Sequence, residues 1–554
     1  MSLTSNILNL ESNLWWKQAV VYQIYPRSFK DSNGDGIGDL QGIISKIPYL
    51  KNLGIDAVWV NPIYQSPNCD GGYDISDYHA IHPDFGTMTD FDEMIETLHQ
   101  AGIKLIMDIV VNHSSDEHQW FVESRKSKAN PYRDYYFWRP PLNGGPPNNW
   151  PSFFGGSAWK FDDLTGEYYL HLFAEKQPDL NWESKALREE VKNIMHFWLA
   201  KGVDGFRLDV ITAISKRTNF PSTDTSDFNE TIKRFYSNGP RLKEFIRELR
   251  NDLFNHHPVM TVGEGPGITP ENALEYLDEK DGLDMIFHFG HMFMDQGAGG
   301  RFDPISWTIK DFKNIFISWD KTFQNKGWNS VFLGNHDFAR MVSRWGNDKE
   351  HWEKSSKLLL TLLLTMRGTP FIFMGDEIGM TNTRLESVSE SHDIETINGW
   401  HVAQKQGLTE PEFLASANYS GRDNARTPMQ WNAEKNAGFS DGESWMPLNK
   451  NFVKLNTEQQ SADDQSILNY FKKLIQLRKS NLDLVNGKFE DISTDVEELF
   501  VFKRISHSKT YTIILNFSSL VQPLPKASGT QILTNYVEQL PEKLQPWECR
   551  IVMS

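Results

Sequence analysis

The chain has 554 residues, of which 39% are apolar and 23% are charged, and its formal net charge at pH 7 is −17. This length predicts a globular protein of two to four domains, and the negative charge makes nucleic acids and anionic membranes poor partners. The two cysteines, Cys69 and Cys549, exclude a disulfide framework and favour a reduced, cytoplasmic setting.

No segment of the sequence predicts export or membrane insertion. Residues 1–14 lack the basic region and apolar core of a signal peptide. The longest apolar stretch, Leu358 to Met366, is far shorter than the roughly 20 residues that a membrane helix needs. We interpret it as a buried helix.

Strand patterns alternate with amphipathic helices from residue 17 to about residue 375. Eight strands separated by helical intervals predict an α/β fold, the (β/α)8 TIM barrel. Helical patterns cover 90–101, 186–201 and 241–254 among others. The predicted strands are 19–25, 57–61, 104–110, 205–210, 259–263, 285–288, 330–334 and 370–374.

Two regions depart from this alternation. The interval after the third strand contains a proline- and glycine-rich stretch, Trp138 to Pro151, that cannot be a helix or an interior strand. Near the C-terminus the pattern changes to the two-residue period of antiparallel strands. We therefore predict a catalytic barrel over 1–113 and 183–484, an inserted subdomain over 114–182 and a C-terminal β-sandwich domain over 485–554.

Four of the apolar segments end abruptly on charged or polar residues. Their last residues are His113, Asp209, Glu264 and Asp337. Barrel strands have this appearance where they open into an active site. Three carboxylates at one mouth are the groups needed to cleave a glycosidic bond, because one protonates the leaving oxygen and another attacks the anomeric carbon.

The neighbours of two carboxylates predict different roles. Strand alternation places Arg207 on the same face as Asp209, where a guanidinium would lower the carboxyl pKa and keep a nucleophile ionised. Glu264 has no basic neighbour in sequence and could keep the raised pKa of an acid. A metal site built with His113 and His336 is the alternative use of these residues.

A separate loop, from Asp31 to Asp39, alternates oxygen donors in the manner of a calcium loop. It predicts a structural Ca²⁺, although a turn rich in aspartate and asparagine is the alternative. No organic cofactor is predicted. The predicted ligands are Asp31, Asn33, Asp35, Asp39 and the Ile37 carbonyl.

The four strand-end motifs, Asp-Ile-Val-Val-Asn-His, Gly-Phe-Arg-Leu-Asp, Val-Gly-Glu and Asn-His-Asp, resemble the signature motifs of the α-amylase family of glycoside hydrolases, in the same order. The resemblance extends from Trp15 to the final strand. Three further segments are similar to the oligo-1,6-glucosidase branch of the family. They are the stretches Gln177 to Asn181, Ser66 to Asp74 and Gly421 to Trp431.

The resemblance implies a role for each site residue. Asp209 would be the nucleophile, Glu264 the acid/base and Asp337 the residue that grips and distorts the substrate. Asp70 and Arg422 would hold the far hydroxyls of a terminal glucose and make the enzyme exo-acting. The remaining implied substrate contacts are Tyr73, His113, Arg207 and His336 around that glucose, and Phe154, Phe173, Gln177 and Glu395 near the aglycone.

The resemblance implies a retaining exo-α-glucosidase that acts on α-1,6 bonds, and secondarily on α-1,4 bonds, of short oligosaccharides, and we expect a monomer. Val210, which follows the nucleophile, is expected to touch the aglycone and favour α-1,6 bonds. A sucrose isomerase or transglucosylase is the close alternative, although the segment from Arg301 to Pro304 departs from the isomerase pattern. A non-catalytic binding protein is disfavoured because the catalytic residues are intact.

Overall fold

The computed structural model describes residues 14–554, and residues 1–13, for which the sequence predicts no signal peptide, lie outside that range. At its centre is a parallel sheet of eight strands, ordered β6-β5-β4-β3-β2-β1-β8-β7. The strands are β1 (Val21–Ile24), β2 (Ala57–Val60), β3 (Lys104–Val110), β4 (Gly205–Asp209), β5 (Met260–Gly265), β6 (Met285–His288), β7 (Ser330–Val331) and β8 (Thr369–Phe373).

The two edge strands, β6 and β7, meet without a backbone ladder. Ser330 Oγ on β7 donates a hydrogen bond of 2.7 Å to the Ile286 carbonyl on β6, which joins the edges and completes the barrel. β7 is shorter than the predicted span 330–334 because its only ladder, to β8, ends at the Val331–Pro370 pair. The predicted (β/α)8 barrel is confirmed.

Helices pack around the barrel and begin where local signals allow. The helix after β2 starts with a capping box between Thr87 and Asp90. The helix before β4 starts with Ser184, whose side chain accepts from Leu187 N. The longer helices are α1 (Leu40–Leu53), α2 (Met88–Gln100), α3 (Lys185–Ala200), α4 (Leu242–Asp252), α5 (Ile309–Phe323), α6 (Trp352–Thr365), α7 (Ile394–Lys405), α8 (Glu410–Ser420) and α9 (Ile467–Ser480).

The segment between β3 and α3 forms the predicted insertion. Its strands, Trp138–Arg139, Glu167–Leu170 and Trp159–Asp162, form an antiparallel sheet in that order. Trp150 is fully buried, and its indole N–H donates to the Pro221 carbonyl at 2.7 Å. This contact holds the insertion against the loop that follows β4, on the side of the barrel where the predicted carboxylates lie.

A five-stranded antiparallel sheet ends the chain, ordered β9-β10-β11-β13-β12. Helix α6 lies between it and the barrel, and every residue from Ser355 to Thr365 is buried. The apolar stretch is therefore a buried helix, as predicted. No helix of residues 14–554 is long and apolar enough to cross a membrane. The sheet strands are β9 (Lys488–Asp491), β10 (Leu499–Ile505), β11 (Thr510–Asn516), β12 (Thr530–Thr534) and β13 (Cys549–Met553).

Candidate active site

A cavity of about 630 Å³ opens at the carboxyl ends of the barrel strands. Most of the predicted catalytic and substrate residues line it. Gln177, Arg207 and His336 do not; they are almost fully buried behind the wall. The predicted residues in the lining are Asp70, Tyr73, His113, Phe154, Phe173, Asp209, Val210, Glu264, Asp337, Glu395 and Arg422.

One guanidinium connects the two carboxylates predicted to perform the chemistry. Arg207 Nη1 lies 2.5 Å from Asp209 Oδ1, and Arg207 Nη2 lies 2.7 Å from Glu264 Oε2. A third carboxylate, Asp108 on β3, accepts from Arg207 Nη1 at 2.8 Å and from the Tyr73 hydroxyl at 2.8 Å. Because both Asp209 and Glu264 bind the same planar group, their positions relative to each other are fixed by the width of that group.

The pKa of Asp209 differs from the sequence-based expectation. Burial raises it well above its usual value, Arg207 opposes that rise, and the neighbouring Glu264 carboxylate adds to it. The adjacent arginine therefore does not lower the pKa below the ordinary range, because it is shared among three acids. Burial also raises the pKa of Glu264, against the opposing charge of Arg207. Asp209 and Glu264 therefore hold protons more tightly than free carboxyl groups do, and they titrate as an interacting pair.

Asp337 has the opposite electrostatic setting. Burial acts to raise its pKa, but neighbouring positive charge outweighs burial and holds the pKa well below the usual range. Arg422 Nη1 and Arg426 Nη2 lie 3.3 Å and 3.0 Å from Asp337 Oδ1. Asp337 is thus an ionised carboxylate beside two carboxyl groups whose pKa values are raised.

Arg422 joins two sides of the cavity. Its Nη2 atom lies 3.0 Å from Asp70 Oδ1, and both residues are buried. The same guanidinium is 2.5 Å from Asp393 Oδ1 and 3.5 Å from Glu395 Oε2. An arginine with four acidic neighbours, Asp337 included, is fixed in place and closes the cavity at this end.

Two buried histidines flank this end. Burial lowers the pKa of His113 to about 4 and the pKa of His336 to about 3, so both rings are neutral at pH 7. His336 Nε2 lies 3.1 Å from Asp337 Oδ2, and its ring stacks on Tyr73 with centroids 5.1 Å apart. Within residues 14–554 no group of three or more histidine, cysteine or acidic side chains is arranged to hold a metal ion. The metal alternative for these histidines has no support.

Gln177 is buried behind the wall of the cavity. Its Nε2 atom is 3.1 Å from Asp70 Oδ2 and 3.2 Å from His113 Nε2. It therefore braces Asp70 and His113, which line the cavity near Arg422. Phe154 and Phe173 do line the cavity, with ring centroids 5.8 Å apart.

Val210 follows the nucleophile strand in a left-handed backbone conformation, with φ of 34° and ψ of 42°. This conformation is uncommon for a branched side chain and costs of order 1–3 kcal/mol. It turns the Val210 amide toward the acid/base residue, and the amide donates to Glu264 Oε2 at 3.0 Å. The side chain lines the cavity.

Several site residues were not found from the sequence alone. Asp393 is buried against Arg422, and Arg301 Nε lies 2.8 Å from Glu395 Oε2. Arg301 lies in the short strand Gly300–Pro304 and Asp393 is the N-cap of α7, and neither position marks its side chain as part of the site. Arg426 lies within the motif from Gly421 to Trp431, so the resemblance contained a signal for it.

The predicted calcium loop is folded by its own hydrogen bonds. Asp31 accepts from the amides of Asn33, Gly34 and Gly36 and from Ser440 Oγ. Asp39 caps α1 by accepting from Gly42 N, and its other oxygen accepts from Ser32 N. These bonds use both oxygens of the two carboxylates. The hydrogen bonds fold the loop as a turn, and no residue of the loop lines the catalytic cavity.

A parallel barrel with paired carboxylates at its mouth defines a glycoside hydrolase. Residues 23–487 match the model of the alpha-amylase catalytic domain. The chain is 49% identical to an oligo-1,6-glucosidase of Parageobacillus thermoglucosidasius over 97% of this chain and 98% of that one. It is 48% identical to an oligo-1,6-glucosidase of Bacillus cereus over 91% of each.

The comparison with solved structures supports the same family. A variant of the isomaltulose synthase of Erwinia rhapontici NX5, in complex with sucrose, superposes with a TM-score of 0.94 at 41% identity, covering 97% of this chain and 99% of that one. The chain belongs to the alpha-amylase family of glycoside hydrolases.

Proposed function

We propose that the protein is a retaining exo-α-glucosidase that hydrolyses terminal α-1,6 bonds of short oligosaccharides such as isomaltose, with α-1,4 bonds as a weaker activity. The observation that carries the proposal is the contact of Arg422 with both Asp70 and Asp337. A carboxylate and a guanidinium side by side suit the free hydroxyls of a terminal glucose. An internal glucose has one of those hydroxyls substituted, so it is excluded.

The proposed chemistry needs one of the two carboxyl groups protonated and the other ionised. Glu264, protonated, gives its proton to the glycosidic oxygen while Asp209, ionised, bonds to the anomeric carbon and the aglycone leaves as an alcohol. Glu264 then takes a proton from water, whose oxygen displaces Asp209 and releases glucose with its original anomeric configuration. Arg207 holds both carboxylates during these steps, and Asp337 binds the sugar as an anion.

The choice of α-1,6 bonds is supported by Val210 and by the relatives named oligo-1,6-glucosidase. A branched apolar side chain on the cavity wall leaves less room for an aglycone attached through a secondary carbon. The methylene of an α-1,6 bond moves the second ring away from this wall. Shape differences of this kind are worth about 1–3 kcal/mol, which gives preference and not exclusion.

A sucrose isomerase or transglucosylase is the second candidate, and the structural similarity to isomaltulose synthase favours it. The products of incubation with isomaltose, maltose and sucrose distinguish the two. Free glucose from isomaltose supports the glucosidase. A rearranged disaccharide from sucrose, with little glucose from isomaltose, would instead identify an isomerase.

We also propose that the protein acts as a cytoplasmic monomer and that the loop from Asp31 to Asp39 binds a Ca²⁺. Both cysteines are free, which supports a reduced compartment. The donors of the loop are oxygens, the atoms that Ca²⁺ prefers. Binding would require Asp31 and Asp39 to exchange hydrogen bonds for the ion.

A further inference from the structure

One buried glutamine of β1 takes no part in the steps proposed for catalysis. Gln23 lies in the strand Val21–Ile24, all of whose residues are buried. A polar side chain in such a place is costly unless its hydrogen bonds are satisfied. The Gln23 side-chain nitrogen lies 2.9 Å from Asn61 Oδ1 and 2.8 Å from His336 Nδ1. Gln23 therefore contacts, from behind, the histidine that lies beside Asp337.

These contacts belong to a chain of polar contacts with a carboxylate at each end. Asn61 Nδ2 lies 2.6 Å from the Tyr73 hydroxyl, which donates to Asp108 Oδ2 at 2.8 Å. At the other end, His336 Nε2 lies 3.1 Å from Asp337 Oδ2. This last contact is electrostatic, because its geometry is not that of an aligned hydrogen bond. The chain runs from Asp108 through Tyr73, Asn61, Gln23 and His336 to Asp337.

Only one direction of this chain suits both of its ends. A neutral imidazole has one proton. If Nε2 of His336 holds it, the N–H faces the Asp337 anion, Nδ1 accepts from Gln23, and Tyr73 donates to Asp108. If Nδ1 holds it, both amides must turn over, and lone pairs of Nε2 and of the Tyr73 hydroxyl then face the two carboxylates. Asp108 already accepts from an arginine and a tryptophan, so it acts as an acceptor.

The surroundings of His336 fix its ring but leave the place of its proton to Gln23. The ring stacks on Tyr73 with an interplanar angle of 8°. Burial lowers its pKa to about 3, so the ring is neutral at pH 7 and the choice of nitrogen matters. The charged groups that face it are Asp337, Arg207, Arg422 and Arg426.

We propose that Gln23 is a positioning residue: by donating to Nδ1, it keeps the proton of His336 on Nε2, against the Asp337 carboxylate. Asn61 orients the Gln23 amide. The inference rests on the proposed function, in which Asp337 binds the sugar as an anion. A bare Nε2 would repel that anion and displace it. Moving the proton should therefore lower activity, although Gln23 does not line the cavity.

The first test is the ¹⁵N spectrum of the wild type labelled in its histidine rings, because protonated and bare ring nitrogens give distinct signals. The spectrum of His336→Asn identifies the His336 signals by their absence. We expect the proton on Nε2 at pH 7. A proton on Nδ1 of the wild type would overturn the proposal without any variant at position 23.

The second test is Gln23→Glu, which places a titratable group against Nδ1. At low pH the new carboxyl group and the ring share one extra proton, and Nε2 stays protonated whichever of them holds it. When the pH rises and that proton leaves, the carboxylate draws the remaining ring proton to Nδ1. The ratio of variant to wild-type kcat/KM for isomaltose should therefore fall about ten- to hundredfold from about pH 5 to about pH 9, the effect of one hydrogen bond to a charged group.

Two variants serve as controls for this pH dependence. Gln23→Met fills the same space without adding a titratable group, so its activity relative to the wild type should be the same at every pH. Gln18→Glu makes the same change at an exposed position just before β1, and its ratio should stay close to one.

Three further results would contradict the proposal. One is an Nε2 that stays protonated at every pH in Gln23→Glu. Another is an activity ratio of this variant that does not change with pH. The third is the same pH-dependent loss in Gln23→Met, which would assign the effect to packing. Failure of the wild type to cleave isomaltose would instead contradict the proposed function, and the ring spectra are independent of that outcome.

Discussion

Arg422 Nη2 lies 3.0 Å from Asp70 Oδ1, although 352 positions separate the two residues in sequence. The pair brings the loop after β2 into contact with the segment that follows α8. It also closes the cavity at the end where Asp337 lies.

Replacement of Arg422 by lysine should weaken recognition of the terminal glucose. Lysine cannot reach Asp70, Asp337 and Asp393 together, so buried carboxylates lose their partner. A loss of about 2–5 kcal/mol, roughly 30- to several thousand-fold in kcat/KM for isomaltose, is expected. Arg247→Lys, at an exposed ion pair on α4, is the control. Rapid internal cleavage of starch by the wild type would contradict the exo assignment.

Glu264→Gln and Asp209→Asn should differ in their response to the leaving group. A glutamine amide cannot protonate the departing oxygen, so isomaltose hydrolysis by Glu264→Gln should fall about 10²–10⁴-fold. The fluoride of α-glucosyl fluoride leaves without being protonated. The Glu264→Gln variant should therefore still consume this substrate at an initial rate close to that of the wild type. Asp209→Asn should fail with both substrates, because it removes the attacking group. Equal loss on the fluoride in both variants would mean that the roles are misassigned.

Val210→Thr should move the ratio of kcat/KM for isomaltose and maltose toward maltose. The substitution keeps the branched shape that the backbone conformation already accommodates, and it exchanges a methyl group for a hydroxyl that an α-1,4-linked ring can bind. The expected movement corresponds to about 1–3 kcal/mol. An unchanged ratio would place the control of linkage elsewhere in the cavity.

Asp74→Asn should change the pH dependence of stability. Burial raises the pKa of Asp74 to about 6, although its oxygens accept from Cys69 N and Asp70 N. The folded state therefore binds a proton more tightly than the unfolded state, where the pKa is about 3.9. Protonated Asp74 therefore favours the folded state. This stabilisation is fully present below about pH 4 and is lost as the pH rises to about 6, and it amounts to at most about 3 kcal/mol of unfolding free energy.

The measurement for Asp74 is the free energy of unfolding of both proteins from pH 4.5 to pH 8. The difference between them isolates this residue from other buried acids. Asparagine also supplies one acceptor oxygen where aspartate supplies two, so the variant should lose activity through displacement of Asp70. If the difference in unfolding free energy between wild type and variant does not change with pH, Asp74 does not titrate in this range.

Removal of the proposed ion should lower the melting temperature without abolishing activity. An ion bound only to the folded state stabilises it by mass action, and the loop from Asp31 to Asp39 contributes no residue to the cavity. Melting curves of chelated protein, with and without added Ca²⁺, measure the effect. Identical curves would favour the hydrogen-bonded turn seen in the structure.

The sequence predicts the barrel and its mouth because periodicity carries that information. The strands ending at Asp209 and Glu264 are short apolar runs, and parallel strands bring their carboxyl ends to one face. The same reasoning is wrong about the pKa of Asp209. The sequence shows that Arg207 is close to Asp209. It does not show that the barrel buries both groups, or that Asp108 and Glu264 also bind the positive charge of Arg207.

Site residues whose partners are distant in sequence are harder to predict. Asp393 and Arg301 act through contacts with partners distant in sequence, Arg422 and Glu395, and nothing in their local sequence marks those contacts. The resemblance identifies the loop that carries Gln177, but it does not give the direction of the side chain, which lies behind the cavity wall beside Asp70. Loop side chains depend on packing that only the folded chain provides.

The backbone turn at Val210 has a consequence for how this enzyme can diverge. The residue whose side chain forms part of the aglycone wall is also the residue whose amide binds the proton donor. A substitution that the left-handed turn does not accommodate would reshape the wall and also shift the hydrogen bond to Glu264. We therefore expect such substitutions to change linkage preference and the pH range of activity together.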